Sequence, residues 1–136
     1  MTESAMMDNP EQNAILIKQF NELGFKIAVD DFGTGYSSLR YLQRFALTKL
    51  KINQYFIQDI QNDKNDKAIE SAIIKIAKSM DLITIAEGVE TLEQLKILET
   101  MHCYEIQGYY YSKPLSAEDA TAFLKLHGTH CLIDKQ

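Results

Sequence analysis

The stretch "IAVDDFGTGYSSL" at residues 27–39 decides how the chain is read. Apolar, strand-prone residues run into two adjacent carboxylates, Asp30 and Asp31, and then through Phe32 into a glycine-spaced turn, Gly33-Thr34-Gly35. Two acids side by side at a strand end repel each other, so folding gains nothing from placing them there. The glycines permit sharp turns beside the acids. They do not make a phosphate cradle. A P-loop needs Gly-Lys-Ser/Thr, and Ser38 stands where a full G-x-G-x-x-G has its last glycine.

Outward from this stretch, strands and helices alternate. "NPEQNAILIKQFNELG" (9–24) reads as a helix, with Asn9 as cap, Pro10 in the first turn, Leu16, Phe20 and Leu23 on one face and Gly24 at its end. "FKIAVD" (25–30) then reads as a buried strand, and a short helix around "SSLRYLQRF" leads to a second strand, "TKLKIN" (48–53). The clearest helix covers 66–80, with an apolar stripe of Ile69, Ala72, Ile73, Ile76 and Ala77. A third strand is "LITIAEG" (82–88). Thr91 and Gln94 form a capping box before "TLEQLKILETM", and "YEIQGYYY" (104–111) reads as a fourth strand. Ser116 and Asp119 open a last helix, "AEDATAFLKLH". "MTES" at the start reads as the stub of one more strand.

This alternation implies an α/β fold with a parallel sheet and helices packed against it. Asp30 and Asp31 then close the first strand, Lys51 and Asn53 the second, Glu87 the third and Gln107 the fourth. All lie on the carboxyl edge, where parallel α/β folds bind ligands. Asp30, Asp31 and Glu87, with Lys51 as the nearby cation, make a cluster that divalent ions would stabilise, and oxygen ligands suit Mg²⁺ or Mn²⁺. The blander alternative is a turn-capping Asp beside solvated acids. Lys51 is either a surface-edge lysine or an ammonium that holds an attacking water or a phosphoryl oxygen. Tyr109–Tyr111 read as strand packing before a ligand platform.

Composition bounds the rest. The 136 residues are 46% hydrophobic and 24% charged, enough for one domain with a real core. A net charge of -5 argues against DNA or RNA as partners, which need a basic surface. No apolar run is long enough to cross a membrane, and no signal peptide precedes the first strand-like segment. Cys103 and Cys131 form no C-x-x-C pair and read as reduced thiols of a cytoplasmic protein. The "HGTHC" tail (127–131) evokes a metal site but offers no further ligands nearby.

A phosphorylation-switch receiver domain shares the acidic pair and a Lys-Pro pair, Lys113-Pro114. It needs a lone Asp at a later strand end, whereas Glu87 and Glu90 stand here, and its acidic pair follows its first strand without a preceding helix. The chain instead resembles the EAL domains, bacterial phosphodiesterases of cyclic di-GMP. The resemblance rests on "TES" (2–4), "DDFGTGYSSL" (30–39), "LKIN" (50–53), "AEGVE" (86–90) and "IQGYYYSKPL" (106–115), in the family's order. It covers nearly all of this chain but only the later half of the family's domain, residues 1–126 here, with 127–136 as a tail.

That resemblance implies a partial TIM-like (β/α) barrel that opens cyclic di-GMP to linear pGpG with two Mg²⁺ or Mn²⁺ ions. By matching position, Glu3, Asp30 and Glu87 would be metal ligands and Asp31 would serve the second metal. Lys51 would steady water and phosphate, and Glu90 would hold the loop of Phe32, Gly33, Thr34 and Gly35. Gln107 and Pro114 would lie at the substrate and water shell. Asn53 departs from the family's usual "LKID", and neither Glu-Ala-Leu nor the family's asparagine ligand occurs in the 136 residues. Weak or absent hydrolysis by the chain alone is therefore expected, with self-association through open barrel edges. A degenerate module that senses the nucleotide or docks a partner without chemistry is the competing expectation.

Overall fold

The computed structural model describes residues 1–33 and 39–127. Strands β1 (Ala28–Phe32), β2 (Lys49–Ile52), β3 (Ile83–Glu87) and β4 (Glu105–Gln107) form one sheet in the order β1-β2-β3-β4, every pair parallel. The helices are α1 (Glu3–Asp8), α2 (Pro10–Glu22), α3 (Leu39–Arg44), α4 (Gln54–Gln58), α5 (Lys64–Ser79), α6 (Leu92–Thr100) and α7 (Ala117–His127). Spatial order that follows chain order is what successive strand–helix units of one hand produce.

Strand side chains alternate between the two faces. Val29, Leu50, Ile52 and Ala86 point to one face and are buried in a single core cluster with Ile57, Ile73, Ile74, Ala77 and Leu98 from the helices. The other face carries Asp30, Lys49, Lys51, Glu87 and Glu105, all half-buried. Across it Lys49 Nζ meets Glu105 Oε2 at 2.5 Å. The sheet is thus apolar on its helix-covered side and charged on the other.

β1 departs from regular pairing. Val29 pairs with Leu50 and Phe32 with Ile52, so three steps along β1 match two along β2. One extra residue against the partner strand is a bulge. It coincides with Asp31, whose φ of +57° is the left-handed region that Asp tolerates better than most residues.

Several expectations shift. The strand expected at 25–30 runs instead over 28–32, because the bulge lets Phe32 continue the buried pattern. "MTES" contributes a single parallel bridge, Thr2 to Asp30, and Thr2 Oγ1 then caps α1 by accepting the Ala5 N–H. In α2 the buried residue is Ile17, whereas Leu16, Phe20 and Leu23 are exposed. Asn9 precedes α2 but makes no side-chain cap bond.

In α5 the buried stripe is Glu70, Ile73, Ile74 and Ala77, so Ile69 and Ala72 face outward. Glu70, an acidic residue at a core position, displaced the apparent stripe by about one residue. β4 stops at Gln107, and Tyr109–Tyr111 belong to a turn instead of a strand, with Tyr110 N–H bonded to Val89 O at 2.9 Å. α4 was not anticipated. Its signal was Asn53, whose Oδ1 accepts the Tyr55 N–H at 2.8 Å as an N-cap. The capping box at Thr91 and Gln94 and the Ser116 cap of α7 are both formed. Cys103 is a buried free thiol whose pKa burial pushes up to about 11. Cys131 and residues 128–131 of the tail motif lie outside the described residues.

Candidate functional site

The rim at the carboxyl ends of the strands gathers the charged residues. In a regular strand, neighbours such as Asp30 and Asp31 point to opposite faces, which would drive one carboxylate toward the apolar layer. The bulge removes that conflict, because Phe32 takes the buried place opposite Ile52 and Asp31 stays at the rim beside Asp30. Asp30, Asp31 and Glu87 each present a carboxylate oxygen, and these oxygens lie within 4.8 Å of one another. All three residues are half-buried.

The Lys51 ammonium stands among them. Lys51 Nζ lies 3.0 Å from Asp30 Oδ1 and in contact with Glu87 Oε1. Partial burial alone would raise the Asp30 pKa, but the Lys51 hydrogen bond and charge, aided by the Asp31 N–H, hold its carboxyl below the usual range. Burial would lower the Lys51 pKa, and the hydrogen bonds and charges of Glu87 and Asp30 raise it instead. Lys51 therefore stays charged through neutral pH. Among the described side chains, three carboxylates face the Lys51 ammonium, a grouping that favours cations. The donor set is hard oxygen at short mutual distance, so the residues present fit divalent-ion binding.

The remaining anticipated residues divide. Asp31, Glu87, Glu90, Gln107 and Pro114 line one cleft of about 440 Å³, together with Asn53 and Tyr109. Lys51 and Asp30 lie on a neighbouring cavity toward α2 and the β1 edge. Glu3 is buried outside the three-carboxylate group, and its Oε2 accepts the Gly33 N–H at 2.9 Å. Gly33 has φ +98°, and a Cβ there would meet the Phe56 ring at 2.9 Å, so glycine fits both backbone and packing. Phe32 is core. Thr34 and Gly35 lie outside the described residues, and with them the loop that Glu90 was expected to hold. Asn53, where the sequence departs from the family's usual "LKID", is engaged at this rim. Its Nδ2 donates to Asp31 Oδ1 at 2.7 Å.

The sequence matches the EAL domain family over residues 1–114. The cyclic di-GMP phosphodiesterase NbdA of Pseudomonas aeruginosa is 44% identical over 127 residues, which are 93% of this chain and 16% of that protein. The structure of the PaMucR phosphodiesterase in complex with c-di-GMP superposes with a TM-score of 0.85 at 39% identity, covering 88% of this chain and 49% of that one. Klebsiella pneumoniae BlrP1, solved as a manganese/cy-diGMP complex, gives 0.76 at 33% identity, covering 83% and 29%. The chain spans about a sixth of the NbdA relative and about half or less of these two structures. Its four-stranded parallel sheet is part of a TIM-barrel-like architecture. Among the described residues no helix is long and apolar enough to cross a membrane.

Proposed function

We propose, from the premise that this chain belongs to the EAL domain family, that its rim forms part of a metal-dependent site hydrolysing cyclic di-GMP to linear pGpG. The observation that carries the reading is the convergence of Asp30, Asp31 and Glu87 from β1 and β3 on one another. Those three carboxylates would hold Mg²⁺ or Mn²⁺, with Glu3 nearby on the Gly33 backbone. Divalent ions held there would supply positive charge to offset the negative charge of a phosphoryl displacement. Lys51 offers ammonium donors on the same rim, suited to a phosphate oxygen as charge develops on it. Gln107, Pro114 and Glu90 border the cleft in which one end of the nucleotide would lie.

The test has two parts. Manganese titration of the chain, followed by the paramagnetic resonance of free Mn²⁺, is expected to show binding. Asp30→Asn or Glu87→Gln should weaken it at least about tenfold, the lower bound for disturbing a metal shell. In the protein that carries this chain, cyclic di-GMP should be converted to pGpG, with Lys51→Ala reducing the rate by about 10²-fold. Turnover that survives Asp30→Asn unchanged would remove the acidic rim from the chemistry.

The exposed stripe of Leu16, Phe20 and Leu23 further supports self-association through that face of α2. Sedimentation of the chain at rising concentration is expected to show a dimer that Phe20→Lys dissociates. An unchanged monomer at all concentrations would exclude it.

A further inference from the structure

We infer that Asn53 is a positioning residue for Asp31, fixing how that carboxylate is presented at the cation-binding rim; this rests on the metal-site reading above. An amide side chain has one acceptor and one donor end, and both are engaged here. Asn53 Oδ1 accepts the Tyr55 N–H at 2.8 Å, capping α4, and Asn53 Nδ2 donates to Asp31 Oδ1 at 2.7 Å. The cap sets which end of the amide faces which way. With the oxygen committed to the helix, the donor end is aimed at Asp31.

Asp31 occupies an irregular backbone position. It is the extra residue of the β1 bulge, held at φ +57°, so its side chain takes its direction from outside the regular strand pairing. Asn53 gives Asp31 a neutral donor on one oxygen and adds no charge to the cluster. An aspartate at this position would keep the cap but could only accept, and would set a further carboxylate against Asp31.

The variant that separates the two ends is Asn53→Ser. Serine caps helices well, so α4 keeps its acceptor, but its hydroxyl is too short to reach Asp31. The melting temperature of Asn53→Ser should match the parent chain, whereas its Mn²⁺ affinity should fall about tenfold. In an Asp31→Ala background the same serine change should alter Mn²⁺ affinity no further. Equal affinity in the single variant, or an equal loss in both backgrounds, would overturn the assignment. Should Asn53→Ser fail to fold, Asn53→Thr carries the same comparison.

A second readout needs no metal. The Asn53 side-chain amide proton that faces Asp31 should be shifted downfield in the NMR spectrum and should move to its ordinary position in Asp31→Ala. Absence of that shift in the parent chain would overturn the positioning role on its own. Failure of the parent chain to bind Mn²⁺, with the amide shift present, would count against the metal reading and leave the Asn53–Asp31 contact standing.

Discussion

Gly108→Ala is expected to destabilise the fold by more than about 3 kcal/mol, the range of overpacking where the obstacle cannot move aside. A Cβ at Gly108 would lie 2.1 Å from Val89 O, 2.4 Å from Val89 N and 2.7 Å from Val89 C, all backbone atoms. Those atoms are tied in place, since Val89 N–H donates to Gln107 O at 3.2 Å and Val89 O accepts the Tyr110 N–H at 2.9 Å. Relief requires parting the turn after β3 from the turn after β4. That parting would also widen the cleft between Glu87, Glu90 and Gln107. Gly24→Ala provides the control. Gly24 has φ +89° but nothing within 4 Å of its would-be Cβ, so the change carries only the left-handed backbone cost of about 1–2 kcal/mol. Urea unfolding of both variants decides the matter, and equal losses would refute close packing as the reason for Gly108.

Glu70 should make the protein less stable as the solution turns alkaline. It sits on the buried stripe of α5, fully enclosed, with neither carboxylate oxygen hydrogen-bonded among the described residues. Burial, with the charge of Asp66 one turn earlier, pushes its pKa up to about 8. The folded state therefore holds this proton more tightly than the unfolded chain does. Below the unfolded value near 4.5 both states are protonated and Glu70 costs nothing through ionisation. As pH rises from there toward about 8 the unfolded chain releases the proton first, and stability falls by roughly 5 kcal/mol in total. Glu70→Gln keeps the shape and cannot titrate. It should match the parent near pH 5 and exceed its stability by several kcal/mol at pH 9. Glu70→Leu should be more stable than both at pH 7, because it also removes the unpaired polar atoms. Parallel stability profiles for parent and Glu70→Gln would mean that the carboxylate has found a partner or water.

Much of this architecture was written in local pattern. The four strands, the Thr91 capping box and the Ser116 cap were legible because each depends on residues within a few positions of one another. So was the gathering of Asp30, Asp31, Glu87 and Gln107 on one edge, which follows from parallel strand order alone. The stripe of α5 misled because one buried acid looked like a surface residue, and periodicity alone cannot tell a neutral buried carboxyl from a solvated one. Leu16, Phe20 and Leu23 misled in the opposite sense, as an apolar face without cover. The bulge at Asp31 and the Asn53 contact were invisible to pattern, since both arise between strands brought together from distant parts of the chain.

The surplus residue in β1 also governs which hereditary changes this protein can absorb. Side chains around Val29 and Phe32 can be exchanged for others of similar volume, because the direction of the two aspartates is set by how many residues lie between the paired positions. Loss of either aspartate codon would restore a regular ladder, with Val29 and Phe32 still turned inward and one acid instead of two at the rim. Lineages that carry this strand should therefore vary its letters while never varying their number.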